Sequence, residues 1–270
     1  MKYSIDMVRF RCRFSKQFLS EFFDMENVNS IFFIEPNISG WVDSDFKGFR
    51  YNFRVMDSSG AGLWIGFIHN SESVHSYSTN LYVEYNPNKF NLLDSVVPDK
   101  VRRLLGYIAR YGELVLIHLA IDIFEGIVNF LIDKRYKVNY KLFITDKGIT
   151  HYVGEYGHGY LKVYDKGREQ GVNYDWTRVE YVIRYGCSVN SIYPLDFSCF
   201  PRVYRIRSNL LMSPVVKALI YSINDGVISL YDLSRTYKKK VINECELITI
   251  DAKRVNDLVV GLIKDLRGLS

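Results

Sequence analysis

Apolar and polar positions alternate near the start of the chain: Val8, Phe10, Cys12 and Phe14 are interleaved with Arg9, Arg11 and Arg13. A period of two sends successive side chains to opposite faces, so this segment predicts a strand with one apolar and one cationic face. Ser15 predicts the cap of a helix running to about Asn27, with Phe18, Leu19, Phe22 and Phe23 on its buried side. Phe49 to Met56 and Leu63 to Ile68, separated by the turn-rich Asp57 to Gly62, predict a hairpin. Ser71 to Asn80 reads as a polar loop. Leu81 to Tyr85 reads as a strand that stops at Asn86-Pro87-Asn88, where proline removes a backbone donor.

A helix follows, with Pro98 and Asp99 in its opening turn, Val101, Leu104, Leu105 and Ile108 at helical spacing, and Gly112 at its end. Val115 to Phe124 predicts a mostly apolar strand and Gly126 to Asp133 a second helix. Four short strands come next: Lys141 to Thr145, Thr150 to Gly154, Tyr160 to Lys166 and Thr177 to Arg184. After Cys187 the pattern turns helical. Ser213 and Pro214 open a helix with Val216, Leu219, Ile220 and Ile223 on one face, closed by Asp225-Gly226. Asp251 caps a last helix with a stripe of Val255, Leu258, Val259, Leu262 and Leu266. The sum is an α+β protein: an antiparallel sheet with helices on one face, and a smaller helical region beyond a boundary near residue 190.

With 270 residues, 48% of them hydrophobic, the chain can bury a substantial core. Its formal charge of +5 is compatible with a polyanionic partner and does not require one. Cys12, Cys187, Cys199 and Cys245 are too scattered for a zinc knuckle or a redox pair, which predicts reduced thiols and a cytoplasmic location. The first residues lack the apolar core of a signal peptide. Leu114 to Ile132 is apolar, but it contains His118, Asp122 and Glu125, each costly inside a bilayer, so no membrane association is expected.

The chemistry-bearing residues gather in Tyr160 to Glu180. On strands, Tyr164 and Lys166 share one face and Arg178 and Glu180 share another, so a nucleophile, two cations and a carboxylate can converge. Lys162 and Lys166 flank Tyr164, and a nearby cation favours the phenolate. The alternative is an exposed Tyr/Lys face without chemistry. His118 and Asp122 lie on one face of the central strand, a possible metal position or half of a structural salt bridge. Their spacing of roughly 13 Å is long for two ligands of one ion. Glu84 and Glu180 are further carboxylates that could oppose Asp122. No P-loop, dinucleotide fingerprint or Gly-x-Ser-x-Gly elbow occurs.

Four blocks resemble, in order, the replication initiation factor family of rolling-circle plasmid and phage initiators and related relaxases. They are Leu81 to Phe90, containing Asn86-Pro87-Asn88-Lys89; His118-Leu119-Ala120-Ile121-Asp122; Tyr152-Val153-Gly154 with Leu161 to Lys166; and Trp176-Thr177-Arg178-Val179-Glu180. The resemblance covers about residues 81 to 185. It implies that Tyr164 is a nucleophile forming a 5′-phosphotyrosyl link to DNA, with Lys166 and Arg178 offsetting charge. It also implies a divalent metal, Mg or Mn, at Asp122 and Glu180 with help from His118 or Glu84.

Two departures stand out: His118 replaces the family's usual aspartate, and the loop Gly154 to Gly159 lacks the Ser, Arg and Lys common before the tyrosine strand. Residues 1–190 would form the nicking domain, and 191–270 a region for DNA recognition or dimerisation. Arg9, Arg11, Arg13, Lys162, Lys238, Lys239 and Lys240 are candidate DNA contacts, and a solvated face is the plain alternative for each. Implied partners are a replication origin, single-stranded at the nick, a host helicase and a second copy of the chain. Rival functions are a metal-dependent nuclease using water and a non-enzymatic DNA-binding regulator.

Overall fold

Strand β1 (Lys2–Ser15) carries the predicted alternation, with Val8, Phe10, Cys12 and Phe14 buried and Arg13 exposed. The structure is a computed structural model and describes residues 1–15, 38–39, 51–56, 62–67, 78–92, 99–133, 139–155, 159–207 and 212–268. The helix expected from Ser15 to Asn27 lies outside the described residues beyond Ser15 itself, as does the expected loop from Ser71 up to residue 77.

The chain divides into two compact units. One gathers Ser4–His118, Arg184–Leu195 and Asn256–Ser270; the other gathers Met1–Tyr3, Leu119–Ile183 and Asp196–Val255. In the first unit the strand order is β2 (Ile38–Ser39), β3 (Tyr51–Met56), β4 (Gly62–Phe67), β5 (Ser78–Tyr85) and β1, each antiparallel to its neighbour. The β3–β4 hairpin is the predicted one, and β5 takes up the last three residues of the predicted loop. Helix α1 (Asp99–Tyr111) buries Val101, Leu104, Leu105 and Ile108, the residues its 3.6-residue period selects.

Apart from Met1–Tyr3, the second unit starts within strand β6 (Glu113–Ile123), whose last residues belong to it. Its hairpins are β8 (Tyr140–Thr145) with β9 (Gly148–Glu155), and β10 (Gly159–Asp165) with β11 (Thr177–Ser188); β9 and β10 are also paired, so the order is β11-β10-β9-β8, antiparallel throughout. Leu161, Val163 and Val179 are fully buried on one face, and Lys162 and Tyr164 lie on the other.

The segment Gly126 to Asp133 is not the expected helix. A single 3-10 turn (Ile127–Asn129) leads into strand β7 (Phe130–Ile132), all three residues of which are buried. Gly126 offers no capping side chain, and Phe130, Leu131 and Ile132 pair with Arg205, Tyr204 and Val203 of β12 (Val203–Ile206). With β13 (Cys245–Leu247) these form a three-stranded sheet in a tail that the sequence pattern reads as helical.

Helices α3 (Pro214–Asn224), α4 (Arg235–Asn243) and α5 (Ala252–Arg267) follow α2 (Lys166–Gln170). Ser213 caps α3 and Asp251 caps α5 by accepting from Arg254 N at 3.0 Å, as predicted. Val216, Ile220, Ile223, Leu230 and Val241 pack with Leu131, Tyr204 and Cys245 in one apolar cluster. The architecture is thus α+β, dominated by antiparallel strands. Among the described residues no helix is long and apolar enough to cross a membrane, and all four cysteines are free, with only Cys199 exposed.

Candidate functional site

Residues directly opposite in an antiparallel pair share a face, and the β10–β11 register sets Tyr164 opposite Arg178 and Lys162 opposite Glu180. The two groups of the Tyr160 to Glu180 segment therefore share a single sheet face. The hairpin start is shaped by Gly154 and Gly159, at φ 125° and 98°; a Cβ on either would stand 2.8 Å from a backbone oxygen, of Gly159 and Val182 respectively.

Lys166 departs from the expectation. It is the first residue of α2, because Asp165, the last residue of β10, caps that helix, accepting from Arg168 N at 2.9 Å. Gly167 N donates to Trp176 O at 3.0 Å, which ties the start of α2 to the approach to β11. Lys166 Nζ still lies 5.7 Å from the centre of the Tyr164 ring and donates to Glu169.

Three charged groups are buried here: Asp122, Arg178 and Glu180, at 4%, 7% and 4% exposure. Burial of a charge is costly without a partner, and each has one. Arg178 grips Asp122 with both ends of its fork, Nε to Oδ1 at 2.7 Å and Nη2 to Oδ2 at 2.9 Å. Trp176 Nε1 donates to the same Oδ1 at 2.8 Å, and the guanidinium lies over the indole, 5.7 Å from its centre. Lys162 Nζ donates to Glu180 Oε1 at 3.0 Å. Burial alone would pull the Lys162 ammonium down, but the charge and hydrogen bond of Glu180, helped by Tyr160 and Tyr152, outweigh it and hold the group above its ordinary range.

These pairings bear on the expected metal. Both oxygens of Asp122 are engaged by Arg178, and Glu180 accepts from Lys162. Glu84, in the other unit, accepts from Arg9 Nε at 2.8 Å and Nη2 at 2.5 Å. His118, also in that unit, is half-buried. Among the described residues no three His, Cys, Asp or Glu side chains are grouped so as to hold an ion. Carboxylates already matched by cations do not form the oxygen-rich, negatively charged set that Mg or Mn takes. The residues as arranged do not fit that ion.

A groove of about 590 Å³ opens on this face, lined by Lys141, Phe143, Tyr152, Tyr160, Lys162 and Tyr164 among others. Its rings interlock: Phe143 meets Tyr152 edge-on at 5.4 Å, and Tyr152 lies 6.1 Å from Tyr160. A second aromatic group stands beside Asp122, where Trp176 is 6.0 Å from Phe124 and 6.1 Å from Tyr174. Phe124 and Tyr174 are more than half exposed, at 62% and 54%. Lys141, Phe143, Phe124 and Tyr174 are functional candidates that the sequence does not single out; the available signal was the Lys141/Phe143 alternation along a short strand.

The predicted arginines of β1 are partly committed: Arg9 to Glu84, Arg11 to Glu113 through Nε at 3.1 Å, with Arg13 left exposed. Lys238 Nζ sits 3.8 Å from the centre of the Tyr231 ring, Lys240 Nζ 5.3 Å from that of Tyr237, and Lys239 is exposed.

No protein-family model matches the chain, and no curated protein matches it. Among solved structures it is similar to the rolling circle replication initiator protein from Geobacillus stearothermophilus, at 13% identity and a TM-score of 0.42, over 99% of this chain and 97% of that one.

Proposed function

We propose that this protein is a rolling-circle replication initiator or relaxase, a DNA nicking and joining enzyme in which Tyr164 attacks a phosphodiester in locally single-stranded DNA. The observation that carries the reading is the register that sets Tyr164 directly across from Arg178 on a grooved sheet face lined by lysines and aromatic rings. The four sequence blocks that resemble the replication initiation factor family support it. In the step, a bond forms between the Tyr164 phenolic oxygen and phosphorus, and the bond from phosphorus to the 3′-oxygen breaks. The phenol gives up its proton, the departing 3′-oxygen gains one, and a 5′-phosphotyrosyl link and a free 3′-hydroxyl remain.

Arg178 and Lys166 would supply positive charge near the reacting phosphate once they part from Asp122 and Glu169, and a guanidinium keeps its charge at any pH at which the protein is folded. Phe143, Tyr152 and Tyr160 offer rings on which unpaired bases stack, with Lys141 and Lys162 toward the backbone; such stacking tolerates any base. Phe124, Tyr174 and Trp176 extend the surface beside Asp122.

Metal dependence belongs to this reading only as a test, since Asp122 and Glu180 become ligands only once released by Arg178 and Lys162. A labelled single-stranded oligonucleotide incubated with and without manganese, then run on a denaturing gel, separates the alternatives. A covalent adduct with wild-type protein, absent with Tyr164→Phe, supports the proposal. An adduct that persists in Tyr164→Phe removes Tyr164 as the nucleophile. Cleavage without an adduct indicates a nuclease using water. Binding without cleavage under either condition indicates a DNA-binding regulator, the reading that the closed Asp122–Arg178 pair favours.

A further inference from the structure

Positive charge is not spread evenly along the chain. Between Arg202 and Arg254 there are ten Lys and Arg against five Asp and Glu, a surplus equal to the formal charge of the entire sequence, +5. Outside that segment the charges cancel. Three of the ten cations, Arg205, Arg207 and Lys217, border a cleft of about 700 Å³, a size typical of small-molecule sites.

The cleft is walled by a strand, a helix and a turn. Arg207 N donates to Glu244 O at 2.9 Å, so the β12–β13 ladder runs one residue past β12, and Arg205 and Arg207 share a face, about 7 Å apart. Glu246 stands across from Arg205 in that ladder. On α3, Lys217, Ile220 and Tyr221 follow at spacings of three and four and so line one side of the helix. Ile220 is buried, while Lys217 and Tyr221 are exposed. The turn Glu125 to Asn129 is fixed by two hydrogen bonds, Thr177 Oγ1 to Glu125 O at 2.7 Å and Asn224 Nδ2 to Val128 O at 3.3 Å.

Charge inside the cleft is only partly matched. Arg205 Nη2 lies 3.1 Å from Glu125 Oε1, yet its Nε is buried without an acceptor, an uncommon state for a guanidinium donor. Arg207 and Lys217 enter no ion pair among the described residues. Three cations disfavour a metal ion as occupant and call for an anion. Guanidinium and ammonium groups pair with phosphate oxygens, and the ring of Tyr221, 53% exposed, offers a face to a planar body. Glu125 and Glu246 narrow the choice: they repel a continuous phosphate backbone, but they accept from the amines of a base and the hydroxyls of a sugar.

We propose that this cleft binds a free nucleoside mono- or diphosphate, its phosphate between Arg207 and Lys217, its base on the Tyr221 ring and its amine or hydroxyl donors toward Glu246. The site is separate from the groove that carries Tyr164, since no residue borders both. The inference does not depend on the nicking reading.

The test is calorimetric titration of the full-length protein with a panel of nucleoside mono- and diphosphates, and with inorganic phosphate and bare nucleosides for comparison. At least one nucleotide should bind one-to-one with a Kd below about 1 mM, and its phosphate or its nucleoside alone about tenfold more weakly. Arg207→Ala, Lys217→Ala and Tyr221→Ala should each weaken binding by about tenfold, with Tyr221→Phe close to wild type because it keeps the ring. Lys141→Ala, in the groove, should change nothing. The wild-type protein gives a reading that needs no variant to fold: the azido analogue of the preferred nucleotide, photo-crosslinked, should label the peptide from Met212 to Asn224. Four results would overturn the proposal: no nucleotide bound in that range, equal binding of inorganic phosphate, label confined to Lys141 to Tyr164, or loss of binding in Lys141→Ala. Tighter binding of a 5′-phosphorylated oligonucleotide than of any free nucleotide, lost in Arg207→Ala, would also overturn it by making the ligand a DNA end.

Discussion

At the scale of single residues, the Asp122–Arg178 pair is where the site and the stability of the fold meet. Arg178→Ala would strand a buried carboxylate with only Trp176 to bond it, and removing one member of a buried pair typically costs about 3–5 kcal/mol; urea unfolding should show a loss of that size. A wild-type-like midpoint would mean that solvent reaches the pair. Sequence pattern could place Asp122 and Arg178 on strands but not join them, because the bond spans 56 positions and depends on which strands become neighbours. Two buried thiols give a pH prediction. Burial pushes Cys12 and Cys245 up from 9.0 to about 11, so folding favours their protonated forms. Their contribution is complete below pH 9 and disappears as pH rises through about 11. Melting temperature should therefore fall over that window, and Cys12→Ala should flatten part of the fall.

The scale of elements shows what local pattern decides and what it does not. Strand β1, hairpin β3–β4 and the caps of α3 and α5 were legible because alternation and capping act within a few residues. Strand β7 was not, because three apolar residues acquire strand character only through partners at Val203 to Arg205. At the site, periodicity revealed that Tyr164, Arg178 and Glu180 could converge. The register that binds Lys162 to Glu180, and the departure of Lys166 into α2, follow from pairing and from Asp165 acting as a cap. Gly159→Ala should cost about 1–3 kcal/mol, since it combines a left-handed backbone with a close approach to Val182 O. Thermal unfolding checks this; an unchanged melting temperature would show that the hairpin relaxes. Replacing Tyr152 and Tyr160 with alanine should each weaken binding of oligo-dT by about 1–3 kcal/mol without creating base preference, as read by fluorescence anisotropy.

For the whole molecule, the division of charge is the organising fact. Most of the sequence is electrically balanced, and the surplus lies in the segment that carries α3 and α4. Composition revealed the surplus but not its location on an exposed helical face, since a run such as Tyr237-Lys238-Lys239-Lys240 is equally compatible with a solvated surface. If α4 contacts phosphates, the logarithm of duplex affinity should decline linearly with the logarithm of salt concentration, and Lys240→Ala should reduce that slope by about one. An unaltered slope would remove Lys240 from the contact. The uneven charge also has a practical corollary. On a sulfonate or heparin column the protein should be retained chiefly through a single short stretch of its sequence, so neutralising two lysines of α4 should advance its elution far more than neutralising two lysines from the balanced remainder.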